Sequence, residues 1–144
     1  MSRVTLAKSP EGYKAMLALG KAVDSTGLDP KIIDLVKIRV SQINGCAFCL
    51  DMHTREAREH GETERRIYNI PSWHEAPFFT DKERAALLLA EAVTNVSQTH
   101  VPDAIYDEAA KSLDESELIG TILAAVLMNS WNRISISTGA KPPM

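Results

Sequence analysis

The sequence is poor in several residue types, and each scarcity excludes a class of protein. Two cysteines among 144 residues are too few for a disulfide scaffold, and seven glycines and seven prolines are too few for a collagen-like or disordered chain. The apolar runs fall far short of the roughly 18 residues that span a membrane. A formal net charge of -3 gives no electrostatic reason to expect a nucleic acid or an anionic membrane as partner.

The N-terminal segment also lacks the apolar stretch of a secretory signal, so we expect a cytoplasmic protein. The chain is 44% hydrophobic and 24% charged, which is ordinary for a globular protein. Its length suits one domain with a core of useful size. We therefore predict a single domain over residues 1–144.

Helix start and stop signals recur along the chain and predict an all-α fold. Ser9 and Asp29 each precede a proline, and Thr80 and Asp114 each precede a glutamate by three residues, as N-terminal helix caps do. Helices are predicted from Pro10 towards Gly27, from Pro30 to Asn44, from Cys46 to His60, from Glu64 to Asn69, from Thr80 through Val93, from Pro102 over a short stretch, and from Asp114 to Thr138.

Two of these predicted helices carry expectations about burial. The inner face of the first is predicted to consist of Tyr13, Met16, Leu17 and Val23. The last helix is apolar on nearly all sides between Ile119 and Trp131, and such a helix has to be covered on all sides. Because a domain this small can hardly cover it alone, we expect a subunit interface there and hence a homo-oligomer.

The two cysteines, Cys46 and Cys49, form one Cys-x-x-Cys motif, which is the most informative feature of the chain. A reducing cytosol disfavours a structural disulfide, and closing so short a loop would stabilise the fold little. The pair is therefore predicted to be redox-active or metal-binding. Zinc prefers four ligands and the local stretch supplies three, so Asp34 or another subunit would have to provide the fourth. Two buried core thiols are the plainest alternative.

His53 lies four residues after Cys49 and seven after Cys46, so one stripe of the predicted helix carries all three side chains. A thiol attacks as the thiolate, which the helix N-terminus favours at Cys46 and the imidazole favours at Cys49. These effects oppose each other and leave open which cysteine is the stronger nucleophile.

Asp34 belongs to the polar stripe of the preceding helix, together with Lys37 and Ser41. A base works better when a third group orients it, so we expect Asp34 to face the next helix and reach His53. The plainer alternative is an ion pair between Asp34 and Lys37, three residues on. The other histidines, His60, His74 and His100, lie near helix ends or in connectors and are expected to be solvated.

The run from Asp34 to His53 resembles the alkylhydroperoxidase AhpD-like / carboxymuconolactone decarboxylase family. The redox motif of that family is an acidic residue, eleven residues, and then Cys-x-x-Cys-x-x-x-His. Its four positions are occupied here by Asp34, Cys46, Cys49 and His53. The likeness extends over roughly residues 29 to 140, through the stretches at 77–80, 90–94 and 129–133.

This resemblance implies an all-α fold that assembles into trimers or hexamers, with the Cys-x-x-Cys at a helix N-terminus. It also implies a peroxidase acting on hydrogen peroxide or organic hydroperoxides. Cys49 would attack the peroxide and become a sulfenic acid, and Cys46 would resolve it as a disulfide. His53 would be the base and Asp34 its orienting acid. No bound cofactor or metal is implied, only an external dithiol reductant of the thioredoxin-like or lipoyl type.

Two positions depart from the family pattern, and two other functions stay open. Asp34 stands where the family has Glu, and Phe48 stands where well-studied members have a second histidine, which makes the site more apolar and predicts a modest rate. A carboxymuconolactone decarboxylase-type lyase on a cyclic organic acid would keep its activity without either cysteine. A dithiol redox sensor or adaptor would be oxidised without turning over peroxide.

Overall fold

The structure is a computed structural model that describes residues 3–144. In that part of the chain every regular element is helical, as predicted. The α-helices are α1 (Pro10–Asp24), α2 (Pro30–Asn44), α3 (Ala47–Glu59), α4 (Glu64–Tyr68), α5 (Asp81–Thr94), α6 (Val96–Thr99), α7 (Asp103–Ala110) and α8 (Glu115–Thr138). Short 3-10 turns occupy Leu6–Lys8 and Ile70–Ser72. No helix within these residues has the length and apolar character needed to cross a membrane.

The predicted caps form, and they explain where several helices begin. The Ser9 hydroxyl accepts a hydrogen bond from the Gly12 N–H, and the Asp29 carboxylate accepts one from the Lys31 N–H. The starts of α5 and α8 are closed by reciprocal capping boxes, Thr80 with Glu83 and Asp114 with Glu117. Such caps satisfy backbone N–H groups that a helix leaves without an internal partner.

The central element is α2, because α3, α5 and α8 all pack against it. Its apolar residues point in two directions: Leu35 joins a cluster with Trp73, and Val40 joins a second cluster that contains Cys46 and Cys49. Burying a side chain such as Leu35 contributes about 2 kcal/mol to stability. The all-round apolar character of α2 is therefore explained by its position between two packed layers.

The predicted inner face of α1 is corrected in part, and the expected cover over α8 is not complete within one chain. On α1, Val23 is fully buried, but Tyr13 and Leu17 are each 48% exposed, so they do not belong to the inner face. On α8, an apolar side faces the core while Ile119 and Val126 remain 48% and 40% exposed. Exposed apolar side chains thus lie on α1 and α8, two helices that pack against each other.

Candidate active site

The site begins at the tight turn between α2 and α3. Gly45 ends α2 with a left-handed backbone (φ 68°), a conformation that costs glycine nothing and other residues strain. The Cys46 N–H then donates to the Ser41 carbonyl at 3.1 Å, which closes the turn. This places Cys46 at the N-cap of α3, so the prediction that the Cys-x-x-Cys lies at a helix N-terminus is confirmed.

Cys46 and Cys49 are joined by a disulfide, with their Cα atoms 5.3 Å apart. Each residue is only 2% exposed. The Cys49 N–H donates to the Cys46 sulfur at 3.3 Å, in the way that an N-cap oxygen accepts a hydrogen bond elsewhere. After reduction, that N–H and the helix N-terminus would both stabilise a thiolate at Cys46.

His53 is buried one turn beyond Cys49 on the same side of α3. Its Nδ1 atom is 3.0 Å from Glu56 Oε2, in a hydrogen bond within the helix. Burial lowers the pKa of His53 below its ordinary value, and the positive charge of Lys37 lowers it further. The carboxylates of Glu56 and Asp34 oppose this shift. A histidine with a lowered pKa is neutral near pH 7 and can accept a proton.

Asp34 has a different partner from the expected one. Its Oδ2 atom lies 2.7 Å from His60 Nδ1, and within residues 3–144 no hydrogen bond joins Asp34 to His53. The reason is the antiparallel course of α2 and α3. An early residue of α2 lies beside the end of α3, where His60 is, while His53 lies closer to the turn. Asp34 acts on His53 only through its charge.

Two further residues of the site, Glu56 and His60, were missed by the sequence interpretation. His53, Glu56 and His60 follow each other at intervals of three and four residues, so they share one face of α3. That spacing was a usable signal. His60 was expected to be solvated, and its side chain is 58% exposed, but its ring also binds the buried Asp34.

A partly buried polar network holds the end of α2 against α8, next to the turn that carries Cys46. The Asn44 amide donates to Asn129 Oδ1 at 2.9 Å and to Asn132 Oδ1 at 3.0 Å. The Asn132 amide donates to Ser41 Oγ at 3.1 Å, although Asn132 and Ser41 are fully buried. Because Ser41 also holds the Cys46 N–H through its carbonyl, this network fixes the start of α3.

Residues suited to a metal do not converge in the part of the chain that the structure describes. No group of three or more His, Cys, Asp or Glu side chains is placed to hold an ion there. The two sulfurs are bonded to each other and Asp34 is bonded to His60. The stripe that emerges is therefore a disulfide, a buried neutral histidine and a surface carboxylate, Glu56.

One known protein family matches this chain over much of its length. Residues 10–92, more than half of the chain, match the model of the carboxymuconolactone decarboxylase family. The chain belongs to this family. The resemblance in the Cys-x-x-Cys region is thereby confirmed.

The proteins similar in sequence differ in how much they share with this chain. The uncharacterised protein YdfG of Bacillus subtilis (strain 168) is 44% identical over 131 residues, which is 91% of this chain and 89% of YdfG. The alkyl hydroperoxide reductase AhpD of Hyphomonas neptunium (strain ATCC 15444) is 40% identical over 45 residues. That match covers 31% of this chain and 25% of AhpD.

Solved structures of similar proteins show the same fold. A protein of unknown function from Agrobacterium tumefaciens, provisionally designated an antioxidant defence protein AhpD, matches with a TM-score of 0.93 and 39% identity. The match covers 100% of this chain and 99% of the other. The debrominase Bmp8 matches with a TM-score of 0.84 over 96% of this chain and 74% of its own, at 21% identity. At that identity the likeness concerns the fold alone.

Proposed function

We propose that the protein is a thiol-dependent peroxidase, an oxidoreductase that reduces hydrogen peroxide or organic hydroperoxides. The observation that carries this proposal is the placement of a bridged Cys46–Cys49 pair at the start of α3 with the buried His53 one turn away. A dithiol beside a neutral base has what peroxide reduction requires: a nucleophile, a proton acceptor and a second thiol to resolve the oxidised one.

In the first step, the reduced Cys49 is the nucleophile. His53 takes the Cys49 proton, and the thiolate attacks one oxygen of the peroxide, so that an S–O bond forms while the O–O bond breaks. The leaving alkoxide takes the proton from His53 and departs as an alcohol, or as water when the substrate is hydrogen peroxide. Cys49 is oxidised to a sulfenic acid by two electrons and the peroxide is reduced by two.

In the second step, Cys46 attacks the Cys49 sulfur. The S–S bond forms, the S–O bond breaks, and the hydroxyl leaves as water with the proton from Cys46. The distance of 5.3 Å between the two Cα atoms is in the range that disulfides require. An external dithiol of the thioredoxin-like or lipoyl type then returns two electrons and two protons to the pair, which completes the cycle.

The assignment of Cys49 as the attacking thiol is part of the proposal and has two supports. His53 lies one turn from Cys49, and the family resemblance gives the second cysteine the same role. The Cys46 N-cap position favours a thiolate at Cys46 as well. A resolving thiol also attacks as the thiolate, so this second stabilisation suits the proposed division of roles.

The proposal gives the carboxylates different roles from those expected. Glu56, bonded to His53 Nδ1, orients the imidazole and leaves the other ring nitrogen free to exchange the proton. Asp34 stays in the proposed site as a negative charge near His53 rather than as its hydrogen-bond partner. Neither a bound cofactor nor a metal takes part in any step.

The proposal also includes the cellular location and the assembly of the protein. Regenerating the dithiol requires a reducing compartment, which is why we place the protein in the cytoplasm. We further propose a homo-oligomer, either a trimer or a hexamer, built with the exposed apolar side chains on α1 and α8. The observation in favour is that Tyr13, Leu17, Ile119 and Val126 are each at least 40% exposed on these two helices.

Intact mass analysis tests the proposal with three proteins: wild type, Cys46→Ser and Cys49→Ser. Each is reduced and then given a small excess of tert-butyl hydroperoxide with dimedone present. We expect wild type to lose the mass of two hydrogen atoms, Cys46→Ser to trap dimedone at Cys49, and Cys49→Ser to trap none. Cys46→Ser/Cys49→Ser, which lacks both thiols, is the control for oxidation elsewhere.

Each other outcome contradicts a stated part of the proposal. If all variants stay reduced, the protein is not a peroxidase. The function to test next is then a carboxymuconolactone decarboxylase-type lyase, whose activity should persist in the double variant. If wild type is oxidised once but a thioredoxin or a lipoyl dithiol gives no repeated turnover, the dithiol is a sensor or adaptor. If Cys49→Ser alone traps dimedone, the roles of the two cysteines are reversed.

A further inference from the structure

The surface end of the site holds a contact that the proposed cycle does not use. Asp34 is 8% exposed, so its carboxylate has lost most of its water, and its Oδ2 is bound by His60 Nδ1 at 2.7 Å. His60 is the C-cap residue directly after α3, and its side chain is 58% exposed. This contact raises the pKa of His60 above its ordinary value, because the Asp34 carboxylate favours the protonated imidazole.

The pKa values of His53 and His60 are shifted in opposite directions: burial is the main cause that lowers the pKa of His53, and the contact with Asp34 raises that of His60. Asp34 and Lys37 face α3 from α2, and Glu56 lies between His53 and His60 on α3 itself. Glu59 adds a further negative charge beside His60. The other helix packed against α3 is α8, whose charged residues are Glu115, Glu117 and Arg133; the Arg133 guanidinium is bound within α8 to Asn129 Oδ1 at 2.7 Å. Groups whose environments separate their titration in this way usually have separate tasks.

We propose that His60 is a positioning residue of the site. By binding the Asp34 carboxylate, it keeps that carboxylate away from His53, so that Glu56 stays the hydrogen-bond partner of His53. This inference rests on the proposed role of His53 as the base. His60 does not touch the reacting atoms. It acts through Asp34, which lies on the helix that packs directly against the cysteine-bearing one.

The physical reason is the cost of an unpaired buried carboxylate. Without His60, the negative charge of Asp34 would have no partner in a nearly dry position, and His53 is the other imidazole that this charge acts on. Asp34 would attract a proton to His53, either through its charge or by turning towards the ring. His53 would then be protonated at a pH where it has to be neutral to accept the thiol proton.

The test is an NMR pH titration of the His53 ring protons in the oxidised protein, where no free thiol perturbs the curve. Wild type is compared with His60→Gln and with the control His74→Gln, which removes a histidine whose side chain is equally exposed, at 58%, outside the site. We expect His60→Gln to raise the His53 titration midpoint by about half a pH unit to one unit. His74→Gln should leave the midpoint unchanged.

A second comparison checks that the effect passes through Asp34. Asp34→Asn removes the negative charge at nearly constant volume, so adding His60→Gln to it should no longer move the His53 midpoint. An unchanged midpoint in His60→Gln, or an equal shift with and without Asp34, would overturn the proposal. Far-UV circular dichroism of each variant establishes that it is folded.

These readouts separate the two proposals. The His53 midpoint in the disulfide form does not depend on peroxide turnover, so it decides the role of His60 even if the protein reduces no peroxide. If the protein does reduce peroxide, the acid limb of its pH–rate profile should move upward in His60→Gln by the same amount as the His53 midpoint. A loss of rate that is uniform across pH would mean a merely structural role for His60.

Discussion

At the residue scale, His53 and His60 differ in environment although they lie on one helix. His53 is buried, so its charged form loses solvation, whereas His60 is open to water and bound to a carboxylate. The two pKa values therefore move apart from 6.5, downward for His53 and upward for His60. Because a pKa that differs between folded and unfolded chains makes stability depend on pH, each shift has a measurable consequence.

The stability contributed by the Asp34–His60 pair should be fully present below pH 6.5 and lost as the pH rises through the raised pKa of folded His60. In that window the folded chain binds more protons than the unfolded one. The difference in free energy of unfolding between wild type and His60→Gln should therefore shrink as pH rises. Urea unfolding at a series of pH values measures it, and a difference that grows with pH would contradict this sign.

His53 gives the opposite trend, with the sign worked out in the same way. Its folded pKa lies below 6.5, so between that value and 6.5 the unfolded chain binds more protons. Stability should fall as pH drops through this window. His53→Gln should remove this part of the acid sensitivity, and the same urea series would disprove the sign if the variant became more acid-sensitive than wild type.

At the element scale, the turn between α2 and α3 decides where the cysteines lie. Gly45 is left-handed, with φ 68°, and a Cβ added there would meet nothing within 4 Å. The reason for glycine at this position is therefore its backbone conformation and not crowding. The same turn carries the hydrogen bond from the Cys46 N–H to the Ser41 carbonyl, so strain at Gly45 would reach the Cys46 N-cap directly.

Gly45→Ala should destabilise the protein by about 1 kcal/mol, because a non-glycine residue in the left-handed region costs roughly that much. Gly20→Ala is the matched control: Gly20 lies inside α1, and its added Cβ would come no closer than 4.0 Å to Leu127. It should stabilise the protein by about 0.5 to 1 kcal/mol. Urea unfolding measures both, and an unchanged Gly45→Ala would refute the turn argument.

At the scale of the whole molecule, α8 contributes to the core and also reaches the surface. Its Ala124, Ala125, Leu127 and Met128 are buried in the core. Its Ile119 and Val126 are exposed at the surface. A helix that is apolar on both sides is stable in water only when both sides are covered, and the second cover is the partner subunit of the proposed oligomer.

Val126→Glu should convert this oligomer to smaller species, since a buried unpaired carboxylate opposes assembly. The control is Tyr68→Glu, which adds the same charge at a residue that is 72% exposed on α4, a helix that packs chiefly against the 3-10 turn Ile70–Ser72. Light scattering coupled to size-exclusion chromatography gives the mass of each. A monomeric wild type at micromolar concentration, or an oligomer that Val126→Glu leaves intact, would rule out this interface.

The sequence by itself determined most of the helical architecture, because helix boundaries depend on local chemistry. The caps at Ser9, Asp29, Thr80 and Asp114 involve atoms within three residues of each other, and each forms as predicted. The short α6 (Val96–Thr99) was not predicted, because it has no side-chain cap that could have marked its start. The Cys-x-x-Cys-x-x-x-His spacing likewise placed its residues on α3 from the chain alone.

Only the tertiary structure decided which carboxylate serves which histidine. The order of residues along α2 says nothing about how far α2 and α3 are offset, and that offset brings Asp34 to His60 rather than to His53. Because Asp34 is bonded to His60, the hydrogen-bond partner of His53 is Glu56 of its own helix. Burial is equally non-local: Tyr13 and Leu17 follow a helical period, yet they lie at the surface because the neighbouring α8 covers only part of α1.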